Sequence, residues 1–406
     1  MEVNMKACGL IVEYNPFHNG HLYHLNQSRS LSKADCIIAV MSGNFLQRGE
    51  PAIVDKWGRT KMALAQGVDL VVELPYPYAV QHSEYFSEGA IAILHKLQAD
   101  FISFGSEHGQ IEDFVHMEKW IKSNEELYNK ALKEHLDTGL SYPMAHAKAH
   151  QAIHPEVEAL DLSKPNNILG RQYVKQILEQ NTSITPLTIP RIANNYHDKK
   201  LNGPISSATS IRKELRQNKN WKDSITTSVP STTLEAMQGY YDRTKEWHVW
   251  DNYFPFLINR ILTSKMEDLQ AIHGIKEGIE NRIYQAAEQA DNFEDFIQRI
   301  KTKRYTWTSL QRIFSHILTN TSKNEMDHLR KQSPEVRILG MNQTGRSYLN
   351  RLKKQELDFT LFTSSKPPYR YYHHVQRVNH AYYSILSPAI RREMNLQEYQ
   401  APIILK

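Results

Sequence analysis

The chain has 406 residues, a length that accommodates two or three domains with sizeable cores. Hydrophobic residues at 40%, charged residues at 23% and aromatics at 10% describe an ordinary globular protein, and no apolar run approaches the ~20 residues of a membrane-spanning helix. The net charge of +5 is uneven: residues 1–215 hold 21 Lys and Arg against 24 Asp and Glu, and residues 216–406 hold 28 against 20, so only the second part has the charge of a nucleic-acid binder.

From Ala7 to about Ser106, apolar runs alternate with helical stretches. The runs Ala7–Val12, Cys36–Met41, Leu70–Leu74 and Phe101–Phe104 have the length and β-branched character of parallel strands buried on both faces. Helices are expected over Gly20–Lys33, Val54–Gln66 and Ser83–Leu97, and Asp35, Asp69 and Asp100 each stand just before a strand. This alternation predicts a doubly wound parallel sheet, in which ligands sit beyond the carboxyl ends of the strands. His18, Ser42-Gly43-Asn44 and Gly105-Ser106 all fall at those ends. The two cysteines, Cys8 and Cys36, lie in expected buried strands, and strand residues follow Lys6 with no signal-peptide pattern, so a reducing cytoplasm is the expected location.

The first strand leads through Asn15-Pro16 into a helix opened by Asn19 or Gly20, with His18 and His21 three residues apart on its first turn. Unpaired N–H groups and the positive end of the helix dipole suit an anion such as a triphosphate there, and Gly20 allows close approach. A metal pair is the alternative reading of these histidines, but no third and fourth ligand stands nearby. In the loop after the second strand, Arg48 or Lys56 can neutralise a small carboxylate, with Asn44 beside them, and Asp55 and Arg59 have the spacing of an i,i+4 ion pair.

Residues 107–180 read as mostly helical. Asn166 and Asn167 follow Pro165 at a helix start, as caps or as amides that hold a nucleotide. Ser183–Ile189 reads as a fifth strand ending in Pro190-Arg191-Ile192, where Arg191 can reach a phosphate. The Ser206–Arg212 segment, SSATSIR, opens a further helix and is first of all an N-cap. After about Gln217, amphipathic patterns run through 254–264, 266–289, 292–301 and 305–320. Lys301, Lys303, Arg304 and Arg312 interleave with Tyr305 and Trp307, a pattern that suits a phosphate backbone with unstacked bases and equally suits a solvated basic face. A strand at Val336–Leu339, a basic helix at Arg346–Lys354 and a strand near Phe359–Phe362 suggest a small αβ segment packed on the helices.

The segment EYNPFHNGHLYHL resembles the HxGH signature of the nucleotidyltransferase superfamily. Together with SGNFLQRGEPAIVDKWGRTKMAL and SSATSIRKEL, in this order over most of the chain, it is similar to the bacterial tRNA-Met cytidine acetate ligase family. The resemblance implies an ATP-dependent ligase that activates acetate as acetyl-adenylate and acetylates N4 of the wobble cytidine of elongator tRNA-Met. It implies His18 and His21 as the catalytic pair, and ATP contacts from Ile11, Val12, Glu13, Tyr14, Asn15, Pro16, Phe17, Asn19, Gly20, Leu22, Tyr23 and His24. Further ATP contacts are expected from Gly105, Asn166, Arg191, Ile192, Ser207, Thr209 and Arg212, although Ala208 removes one hydroxyl from the family's phosphate-gripping segment.

The expected architecture is therefore an α/β class fold, with a nucleotidyltransferase-like ATP-binding domain over 1–216. A mainly helical, basic tRNA-binding region with a small αβ segment follows over 217–406. Asn44, Arg48 and Lys56 are the acetate candidates, and Lys301, Lys303, Arg304 and Arg312 the tRNA candidates. Mg2+ is expected with ATP, no protein metal site is expected, and the partners are acetate, ATP and tRNA, with no membrane. A small-molecule adenylyltransferase without RNA, or a non-catalytic RNA-binding protein, are the competing readings.

Overall fold

β1 (Ala7–Val12), β2 (Cys36–Ser42), β3 (Leu70–Leu74), β4 (Phe101–Ser106) and β5 (Thr185–Pro190) run parallel, in the spatial order β5-β4-β1-β2-β3. The computed structural model describes residues 5–140, 142–153, 160–191, 206–218, 220–276, 278–302, 305–355 and 359–406. The doubly wound parallel sheet expected from the apolar runs is present. Its side chains alternate between two cores: Cys8, Leu10, Ile37 and Ala39 face one, and Ala7, Cys36, Ile38 and Val40 the other. Helices Asn19–Ser32 and Lys56–Ala65 cover the first face, and Ser83–Lys96 and Pro165–Glu179 the second.

The aspartates before the strands stitch the amino ends together. Asp35 accepts the Lys6 amide at 2.9 Å, Asp100 the Ala7 amide at 2.7 Å, and Asp69 the Ile37 amide at 2.8 Å. Each carboxylate satisfies a donor that the start of a strand leaves open. Strand order reverses at β1, which is flanked by β2 and β4, so the loops leaving β1 and β4 diverge and open a crevice above the sheet.

The C-terminal αβ segment goes elsewhere than expected. β6 (Val336–Met341) pairs antiparallel with β3 and extends the sheet instead of packing on the helices. β7 (Leu361–Phe362) and β8 (Ile403–Ile404) then pair in parallel with the two ends of β6. All six β6 residues are buried, including Arg337, because the strand covers an edge of β3 that would otherwise be open. The basic helix expected near Arg346–Lys354 is Gln343–Lys353, and it lies on the second face.

Between these sheet segments, helices Ser231–Thr244, Trp250–Thr263, Ile279–Gln289, Phe293–Ile300 and Trp307–Leu318 pack as expected for a helical region. Their buried faces join the first sheet core in one continuous cluster. The expected helix over 266–289 is instead two, Met266–Ala271 and Ile279–Gln289, because Gly274 and Gly278 between them take φ of +87° and +78°. Among the described residues, no helix is long and apolar enough to cross a membrane.

Candidate active site

Above the carboxyl ends of β1, β4 and β5 lies a cavity of about 350 Å³. Its walls are built by the first turn of helix Asn19–Ser32, the loop after β2, the start of helix Pro165–Glu179, and the start of helix Ala208–Gln217. His18 is the N-cap of its helix. Its Nδ1 accepts the Gly20 amide at 3.0 Å, while the His18 amide donates to Nδ1 of His21 at 3.3 Å. The two imidazoles stack with centroids 3.7 Å apart. This is a capping box made from histidines, and it satisfies helix donors in both directions. Because both Nδ1 atoms accept, each neutral ring carries its proton on Nε2. Burial and the nearby Arg191 and Arg212 hold His18 down to about 3. Burial and the neighbouring His18 and His24 hold His21 well below the usual imidazole range. Both rings are therefore neutral N–H donors in a cavity they line.

Other lining groups add positive potential. The Ser207 hydroxyl accepts the Ser210 amide at 3.1 Å as an N-cap, so a second helix begins at the cavity wall. Arg191, which follows β5, donates to Asn166 at 3.3 Å, and Arg212 pairs with Glu50 at 3.0 Å. Of the expected ATP residues, Ile11, Val12, Glu13, Gly20, Tyr23, His24, Gly105, Asn166, Arg191, Ser207, Thr209 and Arg212 line this cavity with His18 and His21.

The remaining expected ATP residues support the cavity from behind. Tyr14 and Phe17 are buried and pack their rings together at 4.6 Å beneath His21. Asn15 accepts the Ile53 amide at 2.7 Å, and its carbonyl accepts Arg212 at 3.0 Å. Asn19 donates its side-chain amide to the Thr227 carbonyl at 2.9 Å, Leu22 packs against the first core, and Pro16 completes the buried turn. Ile192 lies outside the described residues.

The acetate candidates separate. Arg48 lines the cavity, but Lys56 and Asn44 do not. Lys56 is 1% exposed and its ammonium lies 2.7 Å from Glu73 and 3.0 Å from Glu398. Arg337 from β6 pairs with the same two carboxylates at 2.9 and 2.7 Å. Two cations and two anions close on themselves, so Lys56 has no charge to offer a substrate. Asn44 accepts the Lys56 amide at 2.9 Å and donates to Asn379 at 3.0 Å, beside a space of about 10 Å³ that has room for one water at most. The expected Asp55–Arg59 ion pair is also absent. Asp55 caps its helix at the Gly58 amide and accepts Tyr383, while Arg59 donates to the carbonyls of Val54, Glu13, Ser42 and Gly43.

Of the tRNA candidates, Lys301 is exposed after helix Phe293–Ile300, and Lys303 and Arg304 lie outside the described residues. Arg312 points inward. It donates to the Gln47 carbonyl at 3.4 Å, while Gln311 and Ser315 of the same helix donate to the carbonyls of Arg48 and Gly49. Burial and the adjacent Arg48 lower its pKa to about 10. The helix therefore grips the loop that forms one cavity wall. Sequence reasoning missed Leu46, Gln47, Glu50, Phe86, Phe104, Leu169, Tyr173, Ile189, Pro190, Ser206 and Ala208 as lining residues. Only their places after strands could have marked some of them; Phe86 and Tyr173, within helices, carry no local signal.

Residues 5–398 match the HIGH Nucleotidyl Transferase family. The tRNA(Met) cytidine acetate ligase of Oceanobacillus iheyensis is 49% identical over 402 residues, spanning 99% of this chain and 100% of its own. The chain belongs to the tRNA(Met) cytidine acetate ligase family. The Bacillus subtilis member of this family is 43% identical, over 98% of this chain and 97% of its own. A crystal structure of Thermotoga maritima TmcAL bound with alpha-thio ATP superposes with a TM-score of 0.87 at 31% identity, covering 99% of this chain and all of that one. The apo form of the Thermotoga protein gives 0.90. The HxGH pattern is His18-Asn19-Gly20-His21 here, and His18, Gly20 and His21 line the cavity.

Proposed function

We propose that this protein is an ATP-dependent ligase that acetylates N4 of the wobble cytidine of elongator tRNA-Met in the cytoplasm, through acetyl-adenylate. The observation that carries the reading is the His18–His21 cap, which places two neutral imidazoles on the wall of a cavity that also holds three helix N-termini and three arginines. Such an arrangement suits a triphosphate whose charge grows at the phosphoryl oxygens during attack.

In the first step an acetate oxygen attacks the α-phosphate of ATP and pyrophosphate departs. His18, His21 and the start of helix Ala208–Gln217 supply donors to the phosphates, and Arg191 and Arg212 supply positive charge. Arg48 is the cavity-lining residue suited to the acetate carboxylate. In the second step the cytidine amine attacks the mixed anhydride and AMP leaves. Mg2+ is proposed only as the counter-ion that accompanies ATP. Among the described residues, no group of three or more His, Cys, Asp or Glu side chains is placed to hold a metal, and Glu50 is already paired with Arg212. The helical, basic second part is assigned the tRNA contacts, and residues 1–216 the adenylation chemistry.

The test is acetate-dependent exchange of labelled pyrophosphate into ATP, run over a panel of carboxylates with and without tRNA, followed by mass analysis of the nucleosides. Exchange with acetate and a 42-dalton gain on tRNA-Met cytidine (the mass of an acetyl replacing a hydrogen, about 42) support the reading. Exchange with another acid and no change in tRNA would make the protein a small-molecule adenylyltransferase.

A further inference from the structure

The transfer step needs a group to receive a proton, because the cytidine amine becomes an amide. The two histidines of the HxGH turn are poorly suited. Their Nδ1 atoms already accept backbone amides, so their Nε2 atoms carry hydrogen and have no lone pair to offer. His24 is held down to about 4 by burial and Arg191, and its buried Nε2 has no partner among the described residues.

Among the described residues the cavity wall contains two carboxylates, Glu13 and Glu50. Glu50 is paired with Arg212. Glu13, at the end of β1, accepts the Gln47 amide on Oε1 at 2.8 Å, and its Oε2 has no hydrogen-bond partner among the described residues. We propose that Glu13 is the general base of acetyl transfer: Oε2 accepts one N4–H of the cytidine and takes that proton as N4 attacks the acetyl carbonyl. The assignment rests on the reaction proposed above. The N4 lone pair forms the new C–N bond, the bond from the acyl carbon to the AMP oxygen breaks, and AMP leaves with the electron pair. The N4 proton passes to Glu13 and then to solvent.

Two features fit this role. Burial pushes the Glu13 carboxyl above the usual carboxylate range, against the opposing pull of the Gln47 amide, Arg48 and Arg212 and with reinforcement from Glu50, which makes it a stronger base at neutral pH. Tyr173, on helix Pro165–Glu179, shares the wall with Glu13 and its ring meets Phe104 at 5.5 Å. Tyr173 and Phe104 are themselves buried in the core, so they shape the wall beside the carboxylate, and a carboxylate is the side chain that pairs with the cytosine amino group.

Glu13→Gln keeps an oxygen for the Gln47 amide and the same length, but cannot take the proton. Two assays are run on wild type, E13Q and E13D: acetate-dependent pyrophosphate exchange without tRNA, and single-turnover acetyl transfer to tRNA-Met across pH 5 to 9. For E13Q, transfer should fall by about a hundredfold or more, at least tenfold further than exchange, and E13D should recover part of it. The wild-type transfer rate should rise with pH to a plateau as the carboxyl ionises, and E13Q should lose that titration. Transfer by E13Q within about threefold of wild type, an unchanged pH profile, or an equal fall in both assays would overturn the assignment. Wild-type protein with no acetate-dependent exchange would instead overturn the underlying reaction, and the base assignment with it.

Discussion

His18 and His21 hold each other's place: the His18 amide donates to the His21 ring at 3.3 Å, and the two rings stack at 3.7 Å with 21° between their planes. Each Nδ1 is committed to the helix start, which leaves Nε2–H as the donor of each ring at the cavity both residues line. His21→Ala removes one donor and half of the cap. Acetate-dependent exchange should fall on the order of a hundredfold or more, and stability by about 1 kcal/mol. Circular dichroism and exchange rates on the same sample check both, and near-normal exchange in a folded variant would remove His21 from the chemistry.

Protonation of buried histidines should set the acid limit of the fold. His248 stacks on Tyr382 at 3.8 Å, with its ring nitrogens on the hydroxyls of Tyr240 and Tyr253 at 2.7 and 2.5 Å. Burial lowers its pKa from 6.5 to about 3, and does the same to His374. The folded value lies below the unfolded one, so the unfolded chain binds the extra proton between them. Stability from these groups is complete above pH 6.5 and is lost as the pH falls toward 3. Thermal melts should show Tm dropping steadily from pH 6.5 to 4, with a shallower slope for His248→Gln. A flat Tm over that range would contradict the neutral buried state.

The quartet of Lys56, Glu73, Arg337 and Glu398 joins helix Lys56–Ala65 and β3 to β6 and the C-terminal segment. Glu398→Ala leaves two buried cations with one partner, and should cost about 3–5 kcal/mol in chemical denaturation. The apparent KM for acetate in the remaining folded protein should stay at the wild-type value, since no member of the quartet lines the cavity. A raised KM with little loss of stability would return Lys56 to the acetate site.

Basic residues in the second part should carry the salt-sensitive RNA contacts. Replacing Lys303 and Arg304 with alanine should weaken tRNA binding and lower the slope of log affinity against log salt by roughly one for each phosphate that is no longer neutralised. Filter binding across a salt series reads both quantities. An unchanged slope would place the RNA surface elsewhere. Arg312 belongs to a different experiment, because its guanidinium holds the Gln47 carbonyl and its removal should disturb the cavity loop.

What this sequence determined by itself is local. The apolar runs that became β1 to β5, the turn at Asn15-Pro16 and the spacing of His18, Gly20 and His21 are set by residues within one element or its flanks. The five parallel strands and their common carboxyl edge follow from that pattern, and so does the crevice. Which charged residues face the crevice was settled only by tertiary structure. Lys56 and Arg48 are eight positions apart and look equally available, yet one is neutralised by Glu398, hundreds of residues away, and the other lines the cavity. Arg312 reads as a surface base until its helix is seen gripping the Gln47–Gly49 loop. Glu13 is one acid among many until Glu50 is found paired with Arg212. A buried charge must be matched, and its match comes from wherever the fold brings a counter-charge, which no local pattern encodes.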